Sequence, residues 1–183
     1  CSTTMMVTSP DCNCADVPAP TGSNTEICEG EATPSFTAVV GTDEVAVWYN
    51  ESGTALGVEN TEYTPGDVNP GVYKYYAEAK NTIDGCVSDT KTEFVLTINA
   101  LPTLTVDNKA CSTDNSSYTI TFTSGATVSS IYTVVGNEVQ DIPSGTDVEL
   151  TITDDATNCS TTMMVTSPDC NCADVPAPTG SNT

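Results

Sequence analysis

The sequence contains no histidine and no arginine, and its four lysines, at 74, 80, 91 and 109, carry all of its side-chain positive charge. Without imidazole, a serine or cysteine nucleophile has only lysine or a carboxylate to take its proton. No catalytic residues are expected, and the chain reads as a non-enzyme. Asp+Glu 25 against those four cations leaves a net charge of −21. Such a surface repels phosphate backbones and anionic lipid, so nucleic acid and membranes are not expected partners. Its ordinary consequence is solubility and mutual repulsion along an extended array. No apolar run approaches the roughly 20 residues that cross a bilayer, and no basic segment leads into an apolar core. Neither membrane insertion nor an export signal within the segment is expected. Nothing is periodic at 3.6 residues over a helical length, which excludes substantial helix.

What the sequence does have is repetition, cysteine and alternation. Residues 1–25, CSTTMMVTSPDCNCADVPAPTGSNT, recur without a change at 159–183, an offset of 158 residues (159 less 1). Identity over that length marks adjoining, near-identical units of a tandem array, so neighbouring copies of the same repeat are the first partners expected. Nine cysteines stand at 1, 12, 14, 28, 86, 111, 159, 170 and 172. The repeat accounts for the odd number. One period holds Cys28, Cys86, Cys111, Cys159, Cys170 and Cys172, enough for three disulfides, and Cys1 is the counterpart of Cys159. Cys12 and Cys14 likewise correspond to Cys170 and Cys172. Cysteine at this density implies an extracellular, oxidising location. The CNC triplets lack both the histidine and the paired spacing of a zinc knuckle.

Val, Ile, Tyr and Thr fall in alternating runs, an all-β pattern. EVAVWYN (44–50) puts Ala46 and Trp48 on one face, with Trp48 toward the core. GVYKYYAEAK (71–80) puts Tyr73, Tyr75, Ala77 and Ala79 on a buried face and Lys74, Tyr76, Glu78 and Lys80 on a solvated one. TEFVLTINA (92–100) aligns Phe94, Leu96 and Ile98. Further strands are read at 102–106, 117–123, 128–135, 147–153 and 159–167, with one of Met163 and Met164 packing inward. The stretch ADVPAPTGSNT (15–25) has the composition of a linker, and a tighter boundary stands at Leu101-Pro102. The expected organisation is a final strand of a preceding repeat at 1–14, a linker at 15–25, domain A at 26–100, domain B at 101–172, and a linker to the next repeat at 173–183. Both domains are expected to be antiparallel two-sheet sandwiches.

In domain A, Cys28 follows an apolar residue, a strand ends in Trp48-Tyr49-Asn50, another reads Gly71-x-Tyr73-x-Tyr75-Tyr76, and a turn reads Gly85-Cys86-x-Ser88. In this order and spacing, from about Ile27 to Pro102, the segment resembles the Ig-like repeat modules of giant type IX-secreted surface adhesins and filaments of gliding, Bacteroidota-type bacteria. Domain B keeps a similar cysteine placement without the Trp or the double Tyr. The resemblance implies two tandem Ig-like sandwiches serving as a stalk at the cell surface. It also implies a Cys28–Cys86 bond near one end of domain A and a Cys111–Cys159 bond in domain B, leaving Cys170 and Cys172 as a local pair.

No cofactor is required by any of these features. Calcium is the candidate metal: Asp154, Asp155 and Asn158 crowd one turn, Asp169 and Asp174 flank the second CNC triplet, and hard cations want several oxygens. Tyr49, Tyr76 and Val72 form a candidate patch for surface glycans or another subunit. The expected function is a structural and adhesive repeat of a long extracellular filament or stalk, with gliding motility as a context. Two alternatives stand beside it: a carbohydrate-binding accessory module of a secreted enzyme, and a fibre assembled by strand exchange.

Overall fold

In the computed structural model, which describes residues 17–171, every regular element among the described residues is a β-strand. The chain divides between Ala100 and Leu101 into two compact units.

The first unit contains β1 (Thr25–Cys28), β2 (Phe36–Thr37), β3 (Glu44–Asn50), β4 (Ala55–Glu59), β5 (Glu62–Tyr63), β6 (Gly71–Asn81) and β7 (Thr92–Asn99). One sheet runs β1-β7-β6-β3-β4, and β2 pairs with β5 in a second. Among the described residues of the first unit, only the β1–β7 pairing is parallel. The alternating residues of β3, β6 and β7 turn Ala46, Trp48, Ala77, Phe94, Leu96 and Ile98 inward, where Phe36 and Ala38 cover them. Register explains how the indole fits: Trp48 stands opposite Ala77 and Ala46 opposite Ala79, so small side chains leave it room. Its ring centroid lies 4.9 Å from Phe94 and 5.4 Å from Tyr63. Its Nε1 donates to the Asn60 carbonyl at 2.8 Å, which satisfies the one polar atom it buries.

Tyr73 at the start of β6 donates its hydroxyl to the Asn69 carbonyl, 2.9 Å away, pinning the corner that leads into the strand. Antibody domains carry this tyrosine corner two residues before the cysteine that bridges the sheets beside the core Trp. Here that position is Tyr75. Its ring lies 6.0 Å from Phe36, and Phe36 lies 6.1 Å from Trp48, so an aromatic stack occupies the place of the bond. The Tyr75 hydroxyl is taken up by the Asp67 carboxylate.

The expected linker at 15–25 is corrected by the structure over its described part. Thr21 and Val39 exchange backbone hydrogen bonds of 3.0 and 2.7 Å, Pro20 is buried, and the Asn24 side chain accepts from the Val95 amide at 3.0 Å. Thr25 already belongs to β1. The proline and glycine that suggest linker punctuation serve a close crossing: a Cβ on Gly22 would stand 2.1 Å from Cε1 of Phe94. Gly22→Ala is accordingly expected to destabilise the unit by about 1–3 kcal/mol through overpacking, read as a lowered thermal midpoint.

The second unit contains β8 (Leu104–Cys111), β9 (Ser117–Ser124), β10 (Thr127–Ser129), β11 (Thr133–Val135), β12 (Glu138–Pro143), β13 (Val148–Thr153) and β14 (Ser160–Val165). They form the sheets β11-β12-β9-β8 and β10-β13-β14. Tyr118, Ile120 and Phe122 of β9 meet Val139 and Ile142 of β12 and Val148 and Leu150 of β13. Val139 and Ile142 are three residues apart yet both wholly buried, because the ladder slips between them and Asp141 adopts φ 58°. That bulge restores inward direction after the alternation is lost.

The run at 128–135, expected as one strand, is two: β10 joins one sheet and β11 the other, with Ile131 exposed between them. Met163 stands opposite buried Leu150, on the same face as Val165, yet neither methionine of β14 is buried. Met163 is 38% and Met164 59% exposed, because β14 is a sheet edge and the strand's buried apolar residue is Val165.

Cysteine pairing differs from the expectation in both units. Cys111 bonds to Cys170, not to Cys159, which also removes Cys170 as the partner of Cys172. The bond joins the end of β8 in one sheet to the segment after β14 in the other. Beside it, Lys109 Nζ donates to the Thr166 carbonyl at 2.9 Å. Cys28 and Cys86 are both disulfide-bonded, but not to each other. Cys28 stands beside Asn99 at the end of the sheet where Gly71 begins β6, while the Cys86 carbonyl accepts from the Asn81 amide at the far end of that strand. A strand of that length holds them roughly 30 Å apart, several times the span of a disulfide. Cys159 is disulfide-bonded as well. Sequence order suggests the wrong partners, because the bond follows which strand ends share one end of the sandwich.

Candidate functional site

The outer face of the five-stranded sheet gathers three of the four lysines. Pairing sets Tyr49 of β3, Tyr76 of β6 and Glu93 of β7 in one row across the strands, with Val47 and Glu78 in the next. Period-two alternation points all of them away from the Trp48 core. Glu78 lies on the face expected to be solvated, yet it is only 9% exposed. Tyr49 donates its hydroxyl to Glu78 Oε1, and Lys91 donates to Glu78 Oε2 at 2.7 Å. The same ammonium sits 4.1 Å from the centroid of the Tyr49 ring. A buried carboxylate requires such partners, since an unpaired charge is expensive to desolvate. Glu78 cannot be recognised from periodicity alone, because its partners lie on β3 and on the turn before β7.

A second set lies beside the first. Glu93 Oε2 accepts from Lys74 Nζ and from the Tyr76 hydroxyl, both at 2.9 Å. Lys74, then Tyr76, hold the Glu93 carboxyl below its ordinary range, and Glu93 in turn raises both the Lys74 ammonium and the Tyr76 phenol. Lys80 reaches both oxygens of Glu59, at 2.9 and 3.0 Å. Each lysine on this face is thus matched to a carboxylate. The Tyr49–Tyr76–Val72 patch is correspondingly different from an open aromatic platform, since both phenols are engaged and Lys91 covers one ring; Val72 remains 62% exposed.

Burial first, then the hydrogen bond to Glu78, pushes the Tyr49 phenol up to about 12 from 10.0. A group raised in the folded state contributes stability that is whole below its unfolded pKa and disappears as pH rises through the folded value. The denaturation midpoint is therefore expected to fall between pH 10 and about 12, and to fall less in Tyr49→Phe, as denaturant titrations at stepped pH would measure.

The calcium candidates are not brought together. Asp154 Oδ1 accepts from the amides of Ala156 and Thr157 in its own turn, and Asp155 accepts from the Thr127 hydroxyl. Asp169 Oδ1 accepts from the Asn171 amide at the opposite end of the unit, near the Cys111–Cys170 bond. No group of three or more acidic, histidine or cysteine side chains arranged to hold a metal occurs among the described residues. Asp174, Cys12, Cys14 and Cys172 lie outside them, as do the expected strand at 1–14 and linker at 173–183. Shallow grooves are found among the described residues. One of about 330 Å³ is floored by Phe36 beside Gly22, and one of about 210 Å³ lies beside Pro102 and Asp154.

A short β2–β5 layer over a five-stranded sheet, a core Trp and a tyrosine corner together describe an Ig-type sandwich. Residues 16–99 match the family described as Ig-like domain, CHU_C associated. No curated protein matches the chain by sequence. Among solved structures, a three-Ig fragment of titin, domains I67–I69 in an E-to-A variant, is similar at 13% identity and TM-score 0.43, over 81% of this chain and 65% of that one. The fibronectin(III)-like modules of Clostridium thermocellum CbhA are similar at 15% identity and TM-score 0.37, over 84% and 96%. Bacteroides ovatus SGBP-B, solved with a mixed-linkage heptasaccharide, is similar at 15% identity and TM-score 0.31, over 88% and 45%.

The first unit is therefore described as an Ig-like domain, a kind of module that is typically non-catalytic. Disulfides together with an Ig-like domain point to an extracellular protein. No helix of the described residues is long and apolar enough to cross a membrane.

Proposed function

We propose that this chain is a structural and adhesive repeat of a long cell-surface filament or stalk, carried to the surface by type IX secretion and serving adhesion, including that used in gliding. The observation that carries this reading is the duplicated 25-residue segment at an offset of 158 residues (159 less 1), which makes the chain one period of an array. Disulfide-braced sandwiches in series suit a spacer that must endure outside the cell. A net charge of −21 per such segment keeps neighbouring stalks apart. Antibodies raised against the chain are expected to decorate intact cells along extended surface structures. Labelling only after permeabilisation would overturn the surface assignment, and unimpaired attachment of cells lacking the gene would overturn the adhesive one.

A further inference from the structure

Acidic side chains are spread along the described residues, but the lysines are not. Lys74, Lys80 and Lys91 all reach the outer face of the β1-β7-β6-β3-β4 sheet, where they meet Glu93, Glu59 and Glu78 at 2.9, 2.9 and 2.7 Å. Three ammonium groups against three carboxylates leave this face without net charge, with Glu51 beside Lys74 at its margin. The fourth lysine, Lys109, belongs to the second unit. At physiological salt a charge is felt over about 8 Å, so two approaching copies respond to the faces that meet and not to the total of −21. Strand register sets Val47, Val72 and Val95 among the paired charges, and Val72 is exposed. Five strands spaced about 4.8 Å apart, with β3 and β7 of 7 and 8 residues, outline roughly 500 Å². Two such faces bury on the order of 1,000 Å², the lower end of specific interfaces and enough for a reversible pair.

We propose that this face is the contact through which two copies of the chain pair side by side, first unit against first unit, about a two-fold axis. Such a contact sets the surface against itself, so cations of one copy face carboxylates of the other. The ion pairs and the Tyr49 and Tyr76 hydrogen bonds already hold these side chains in place, which lowers the entropy cost of burying them. Elsewhere among the described residues acids would meet acids with only Lys109 to offset them, so the same chain that repels its neighbours in other orientations accepts one in this orientation. This pairing goes beyond the stalk reading: it is a property of the chain in solution and holds or fails whether or not that reading does.

The test is sedimentation of the unaltered, oxidised chain at physiological salt, over a concentration series reaching the millimolar range. A monomer–dimer equilibrium is expected. Val72→Asp alters an exposed site that the fold tolerates, and in a two-fold contact the new charge appears twice; it is expected to raise the dissociation constant about tenfold or more. Lys74→Glu, which sets a like charge beside Glu93, should weaken the dimer as well. Ile131→Asp adds the same charge as Val72→Asp at an exposed apolar position of the second unit and should leave the constant unchanged. Circular dichroism checks that each variant keeps its fold; should Lys74→Glu lose it, Val72→Asp decides. A chain that stays monomeric throughout overturns the proposal, and so does a dimer that Val72→Asp leaves intact or that Ile131→Asp weakens equally.

Discussion

Alanine in place of Trp48 is expected to lower the stability of the Ig-like domain by about 3–5 kcal/mol, the range for removing a large buried aromatic. The indole is wholly buried, and it touches Phe36, Phe94 and Tyr63, so its loss opens a cavity where the two layers meet. The facing Ala77 and Ala79 are too small to collapse into it. The Asn60 carbonyl also loses its partner. Trp48→Phe should cost less, keeping part of the ring contact while leaving the same carbonyl unpaired. Urea titrations followed by circular dichroism would measure both, and equal losses would show that volume is not what the indole contributes.

Breaking the Cys111–Cys170 bond is expected to cost the second unit about 4 kcal/mol, from the entropy restored to the unfolded chain when a closure of 59 residues is released. Cys111→Ser and Cys170→Ser should each show the whole loss. The double variant should show little more, since either change alone removes the bond. Cys159→Ser is expected to leave the Cys111–Cys170 bond intact, as peptide mapping under non-reducing conditions would reveal. A Cys111–Cys159 peptide from the unaltered protein would contradict the pairing described above.

Strands with unbroken alternation are legible in the amino-acid sequence alone. β3, β6, β7 and β13 each carry a regular apolar face, and the inward residues of each follow from period two. β12 is not legible in this way, because the bulge at Asp141 shifts Val139 and Ile142 out of alternation. Residues 20–25 have a linker's composition, and composition does not show that Gly22 passes hard against Phe94. The candidate site is legible only in its parts. Alternation places Tyr76, Glu78 and Lys80 on one face, but Lys91 comes from outside the strand, and its approach to Glu78 and Tyr49 depends on the turn between β6 and β7. Disulfide connectivity is beyond reach for a combinatorial reason: six cysteines allow 15 pairings, and only the positions of strand ends choose among them.

The Cys111–Cys170 bond also determines how a pulled chain behaves. Tension entering beyond Cys170 crosses the sulfur bridge and leaves through β8, bypassing the residues between the two half-cystines, which stand 59 positions apart in sequence. Those residues cannot be drawn out while the bond holds, which withholds roughly 200 Å of contour at about 3.4 Å per residue. Under mechanical load the second unit is therefore a short link with a locked reserve, and the reserve is released only by reduction.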